Sequence, residues 1–183
     1  MPTLLRTGLL LTTLLSLVDA FAQQDIRFLE HPVRSAPGHA KDDAVLWPLD
    51  ILHQRIDLNL ALGSTIEGHC TITAVPRADG TDHFPLQLLA LTVDSVTSPN
   101  GDLAYVQTDE DLDITLASVI GTQDTVELTV HYHGDPVVDA SGFGGFYTTG
   151  QYSYNLGVGF TAVPHSYGRA WFPCADNFTE RNS

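Results

Sequence analysis

The sequence predicts an all-β chain, an antiparallel β-sandwich or curved open sheet, and three observations carry that expectation. Apolar and polar residues alternate with a period of two in several stretches, which places successive side chains on opposite faces of a strand. Turn residues recur between those stretches, about every ten to fifteen positions. No helical period intervenes, so nothing in the pattern would build the crossovers of a parallel sheet.

The first 22 residues stand apart from the fold and read as a secretory signal. Arg6 supplies a positive start, Gly8 to Leu17 a short apolar stretch, and Ala20-Phe21-Ala22 a small-x-small cleavage site before Gln23. The apolar run is shorter than the roughly 20 residues that a spanning helix needs, so no transmembrane segment is expected. Export to the periplasm or extracellular space, after cleavage near Ala22, is the expectation. Residues 23–48 then read as an irregular leader, broken at His31-Pro32, Ala36-Pro37-Gly38 and Lys41-Asp42-Asp43. The β-domain is expected over residues 49–183.

Within it, Ile56, Leu58, Leu60 and Leu62 alternate with Asp57, Asn59 and Ala61, which predicts one aliphatic face. Gly63-Ser64 offers a turn. "GHCTITAVP" repeats the alternation, with Cys70, Ile72 and Ala74 opposite His69, Thr71 and Thr73, and Pro76 closes it. "FPLQLLALTVDSV" holds further short runs, ended by the turn signal Ser98-Pro99-Asn100-Gly101. "LAYVQT" and "DLDITL" predict two more strands. "TVELTVHYHG" is the clearest, with Val126, Leu128, Val130 and Tyr132 on one face and Glu127, Thr129, His131 and His133 on the other. Beyond Gly134 the chain becomes rich in glycine, interleaved with Phe143, Phe146, Tyr147, Tyr152 and Tyr154. Glycine admits close backbone approach and aromatics supply apolar contact, so tight packed hairpins are expected, with "YSYNLGVGF" as another period-two run.

Composition narrows the function classes. Removing 22 of the 183 residues leaves 161, enough for one domain with a real core. The net charge of −14 survives that removal, since Arg6 and Asp19 leave together, and Lys41 is the one lysine. Such a surface repels phosphate backbones, which argues against nucleic acid as a partner, and anionic membranes are disfavoured for the same reason. Cys70 and Cys174 are the only cysteines; they would pair in an oxidising compartment or remain buried thiols.

Short motifs for chemistry are incomplete. His131 and His133 alternate on one strand face as metal ligands sometimes do, but no third ligand is placed, so they read as solvated histidines. Asp109, Asp111 and Asp113 open like a calcium loop, yet Ile114 stands where glycine must turn and Ile120 where a glutamate belongs. Gly157-Val158-Gly159-Phe160-Thr161-Ala162 matches a dinucleotide fingerprint, but Pro164 follows and no helix pattern does. Asn177-Phe178-Thr179 is a glycosylation sequon in a eukaryotic host only. No G-x-S-x-G, C-x-x-C or H-E-x-x-H occurs, so no catalytic, cofactor or metal site is assigned.

The ending is far more specific. "GFGGFYTTGQYSYNLGVGF", with Gly142, Phe143, Gly144 and Gly145, leads to "PHSYGRAWFPCADNFTERNS", with Arg169, Trp171, Phe172-Pro173-Cys174 and Asp176. With an arginine three residues before the phenylalanine and an aspartate two after the cysteine, this stretch resembles the N-terminal domain of aminopeptidase N-like (gluzincin) zinc metallopeptidases, in particular secreted bacterial members. "LDILHQRIDLNLAL", "TITA" and "VELTVHYHG" resemble the strands of that domain, and the likeness extends over about Leu49 to Asn182.

The resemblance implies a saddle-like β-domain packed against a downstream catalytic domain whose H-E-x-x-H and distant glutamate hold zinc and whose substrates are peptides. Those motifs are absent here, so the resemblance implies a non-catalytic N-terminal part of such an enzyme. It also implies that Trp171 and Phe172 bury against the glycine-rich hairpins, that Pro173 sets the exit direction, and that Arg169 pairs with Asp176. Family members often carry a glutamate or glutamine, which helps bind the substrate amine, eight residues before the phenylalanine. Here that position is Pro164, which has no side-chain acceptor, so His165 or Ser166 would have to face substrate instead. A stand-alone binding module is the rival expectation.

Overall fold

The computed structural model describes residues 47–61, 63–162 and 165–176. The expected signal, the leader through Leu46, Leu62, Pro164 and the sequon lie outside the described residues. No helix among those residues is long and apolar enough to cross a membrane.

Alternation becomes sheet where a neighbouring strand satisfies the backbone groups. Five strands form one antiparallel sheet: β1 (Leu49–Asn59), β2 (Ile66–Pro76), β4 (Thr92–Ser98), β5 (Gly101–Asp102) and β8 (Val126–Gly134), in the order β1-β2-β8-β4-β5. Three more form a second sheet, β3 (Thr81–Gln87), β7 (Asp111–Ile120) and β6 (Tyr105–Gln107), with β7 central. β9 (Tyr147–Thr149) and β10 (Tyr152–Tyr154) make a separate hairpin. The described residues therefore form an all-β antiparallel sandwich.

The expected faces explain the packing. Cys70, Ile72 and Ala74 lie opposite Val130, Leu128 and Val126, and Cys70, Ile72, Ala74, Leu128, Val130 and Tyr132 are buried. They face Phe84 and Leu86 of β3 and Leu112 and Ile114 of β7 in one apolar cluster. Each fully buried large aliphatic contributes about 1.5–3 kcal/mol relative to exposure. At the sandwich rim Trp47 donates its indole N–H to the Pro85 carbonyl at 2.7 Å, a polar anchor for a half-buried ring.

Two expectations need correction. β1 carries a bulge at Leu52, between Ile51 and His53. One extra residue exchanges the faces downstream, so Leu49 and Ile51 share the inner face with Gln54, Ile56 and Leu58. β1 also ends at Asn59, leaving Leu60 exposed beyond the strand and off the aliphatic face assigned to it. Likewise "YSYNLGVGF" is strand only at Tyr152–Tyr154; Gly157 takes a left-handed φ of +73°, which interrupts the pleat. A second bulge, at Asp94 in β4, pushes that carboxylate out of the ladder between Val93 and Ser95.

Candidate functional site

The Phe-Pro-Cys segment docks by backbone pairing. The Gln87 N–H donates to the Cys174 carbonyl at 2.8 Å and the Cys174 N–H returns to the Gln87 carbonyl at 3.0 Å, adding an antiparallel rung at the end of β3. Leu89 N–H donates to the Arg169 carbonyl at 2.7 Å. Between these anchors a short 3-10 turn, Gly168–Ala170, reverses the chain after Tyr167, whose φ of +51° is left-handed. A tyrosine there costs about 1–3 kcal/mol and persists because its surroundings hold it.

Those surroundings are an ion pair. Arg169 Nη1 lies 2.6 Å from Asp176 Oδ2, and the two side chains are 8% and 2% exposed. Arg169 Nε reaches Glu110 Oε2 at 3.2 Å, linking the turn to the start of the β7 region. Ser166 donates its hydroxyl to the other Asp176 oxygen, and the Tyr167 ring lies 5.2 Å from the guanidinium carbon. Desolvating two charges is costly, and only such multiple contacts offset it. The cluster therefore fixes one conformation of residues 165–176.

On the other side, Gln54 enters the same region from β1. Its amide donates to the Pro173 carbonyl at 2.6 Å and to Cys70 Sγ at 3.3 Å. Cys70 and Cys174 are both free and buried, and burial pushes the Cys70 thiol up to about 12 and that of Cys174 well above its ordinary value. They behave as small apolar groups, not nucleophiles. Gln54→Leu is expected to lower stability by about 1–3 kcal/mol in urea denaturation, because it leaves the Pro173 carbonyl only the weak Cys70 thiol donor at 3.9 Å; an unchanged midpoint would contradict that tether.

The glycine-rich loops close around Asp139. Its carboxylate accepts from the backbone N–H and hydroxyl of both Ser141 and Thr161. Although desolvation alone would raise it, the Ser141 and Thr161 hydrogen bonds hold this carboxyl far below the usual carboxylate range. Gly144 lies against Gly159, where a Cβ would come within 2.5 Å of the Gly159 Cα. Gly145 pairs with Val138 in an isolated bridge. Phe146 stacks on Trp171 at 5.5 Å, and Trp171 meets Phe172 edge-on at 4.5 Å, so the loops and the Phe-Pro-Cys segment share one aromatic contact.

Other aromatics of the loops do not pack inward. Phe143 and Phe160 contact each other at 5.1 Å but stay about half exposed, and Tyr152, Leu156 and Val138 are also exposed. The expectation of tightly packed hairpins therefore holds only in part for Phe143 and Tyr152, since β9 and β10 are three-residue strands that pair, among the described residues, only with each other. Gly142 stands in open space. Of the proposed substrate-facing residues, His165 is exposed with Nδ1 2.7 Å from the Gly159 carbonyl, and the Ser166 hydroxyl is engaged by Asp176. Gln54, Glu110 and Asp139 were not singled out from sequence. Asp139-x-Ser141 carries a local signal, an aspartate that can bond the backbone two residues on; Gln54 carries none.

A catalytic zinc does not fit the described residues. The sequence has no H-E-x-x-H, and among the described residues no three of His, Cys, Asp and Glu gather closely enough to hold a metal as they stand.

No protein-family model and no curated protein sequence matches the chain. Solved structures do, M1 zinc metallopeptidases among them. The chain is similar to an M1 zinc metallopeptidase variant of Deinococcus radiodurans bound to a Tyr-Ser-Ala substrate, at TM-score 0.62 and 23% identity, over 74% of this chain and 31% of that one. It is similar to yeast LTA4 hydrolase in complex with bestatin at TM-score 0.54 and 18% identity, over 74% of this chain and 22% of that one. It is also similar to Legionella pneumophila aminopeptidase A bound to aspartic acid, at TM-score 0.53 and 18% identity, over 73% of this chain and 15% of that one. The chain thus spans less than a third of the length of these enzymes. The fold over three quarters of this chain is one that M1 zinc metallopeptidases contain.

Proposed function

We propose that the chain is the non-catalytic N-terminal β-domain of an exported, aminopeptidase N-like zinc metallopeptidase that removes residues from peptide N-termini. The observation that carries this reading is the fold match, which extends over most of this chain and a minor part of each enzyme. The Arg169–Asp176 pair supports it by holding the Phe-Pro-Cys segment against the edge of β3. The exposed Phe143–Phe160 pair supports it too, because exposed aromatics in contact suit an interaction surface. The partner would be the downstream catalytic domain, and zinc and peptide substrates would belong there.

The reading frame beyond Ser183 tests this. An open frame carrying H-E-x-x-H and a later glutamate is expected; a stop codon overturns the reading and leaves a stand-alone binding module. The purified chain is expected to release no product from aminoacyl anilides, with or without added zinc. Hydrolysis by this chain would contradict the non-catalytic role.

A further inference from the structure

Register across the five-stranded sheet assembles a row that the sequence does not show. On its outer face Asp57 of β1 lies directly opposite His69 of β2, and His69 directly opposite His131 of β8. The two imidazoles stand with ring centroids 5.6 Å apart. Two histidines sharing one tetrahedral ion at about 2.0–2.1 Å per nitrogen would have centroids roughly 5 Å apart, since each centroid lies about 1 Å behind its nitrogen. The observed spacing needs little adjustment.

The surroundings favour a cation. A hollow of about 380 Å³ opens over the row, lined also by Glu67, Asn59 and Asp94. Asp57 Oδ2 lies 3.2 Å from His69 Nε2, and the Arg55 hydrogen bond holds the Asp57 carboxyl below its ordinary value, so it stays charged. Among the described residues, nothing hydrogen-bonds either nitrogen of His131. His133, in contrast, is engaged by the bulged Asp94 at 2.8 Å, in the next row. The histidine pair to consider is therefore the cross-strand one, His69 with His131, and not His131-x-His133.

We propose that His69 and His131 form a surface chelate for an imidazole-preferring divalent cation, Cu²⁺, Ni²⁺ or Zn²⁺, with Asp57 as the carboxylate that orients His69 and water completing the sphere. Two protein ligands make an exchangeable site, weaker than a structural zinc centre. Oxygen-preferring Ca²⁺ and Mg²⁺ are not expected to bind there. The test of this site does not depend on the proposed function.

Isothermal titration of the full chain with CuCl₂, NiCl₂ and ZnCl₂ tests it, with CaCl₂ as control. One site is expected, strongest for Cu²⁺. His69→Ala and His131→Ala should each weaken it by about tenfold or more, while His133→Ala leaves it unchanged. Far-UV circular dichroism verifies that these substitutions leave the fold intact. Pulsed EPR of the copper-loaded native chain is a second readout and should report two coordinated imidazoles. No titratable site, or a site that survives the His69→Ala/His131→Ala double variant, overturns the proposal, as does a copper spectrum with fewer than two imidazoles.

Discussion

Arg169→Ala is expected to destabilise the chain by about 3–5 kcal/mol, the usual cost of removing one partner of a buried ion pair. The Asp176 side chain is 2% exposed, so truncation leaves a carboxylate with the Ser166 hydroxyl but no countercharge. The Tyr167 turn loses the contact across its ring, and its left-handed backbone loses support. For a domain of this size the melting temperature should fall by roughly 10 °C or more. Removing both charges is a different perturbation: an Arg169→Met/Asp176→Leu double variant should recover much of the loss, because well-packed apolar replacements of buried pairs are often neutral. Glu110→Ala should cost about 1 kcal/mol or less, since that carboxylate is 47% exposed and easily hydrated. Urea denaturation of the three variants decides the matter. A loss near that of Glu110→Ala for Arg169→Ala would show that the pair does not hold the turn.

Gly145→Ala is the second large effect. Gly145 has a φ of +95°, and a Cβ there would sit 2.8 Å from the Val138 Cα and closer still to the Val137 carbonyl oxygen. Both obstacles are backbone, held by the bridge between Val138 and Gly145, so neither can swing away as a side chain would. Strain and overpacking each cost about 1–3 kcal/mol, which sets an expected loss of about 3 kcal/mol or more. Gly142→Ala is the internal control. It shares the positive φ, at +79°, but its Cβ would meet nothing within 4 Å, so it should lose only about 1–2 kcal/mol. Thermal melts of the two variants separate the contributions. Equal losses would mean that backbone conformation alone, and not the Val137–Val138 approach, requires glycine at position 145.

β2 and β8 were legible as strands because Cys70, Ile72 and Ala74, and Leu128, Val130 and Tyr132, alternate without interruption and all are buried. β1 was only half legible. The Leu52 bulge exchanges its faces, and nothing in "LDILHQRIDLNL" announces where an extra residue will be tolerated. "YSYNLGVGF" erred the other way, since alternation describes which side chains share a face but not whether a partner strand exists to pair with. In the candidate site, Arg169 and Asp176 were named from the motif. Gln54, which donates across from residue 54 to residue 173, has no local mark at all.

The division follows from range. Periodicity, glycine positions and charge are properties of neighbouring residues, and from them the all-β class and the inner faces of β2 and β8 could be read directly. Register, bulges and burial depend on strands distant in the chain. Only they placed His69 beside His131, turned Gln54 inward toward Pro173, buried the Arg169–Asp176 pair and left Phe143 and Phe160 on the surface. A backbone with a two-residue repeat can slide against its neighbour without changing its own pattern, so the choice among registers is made by the packed core of the whole sandwich.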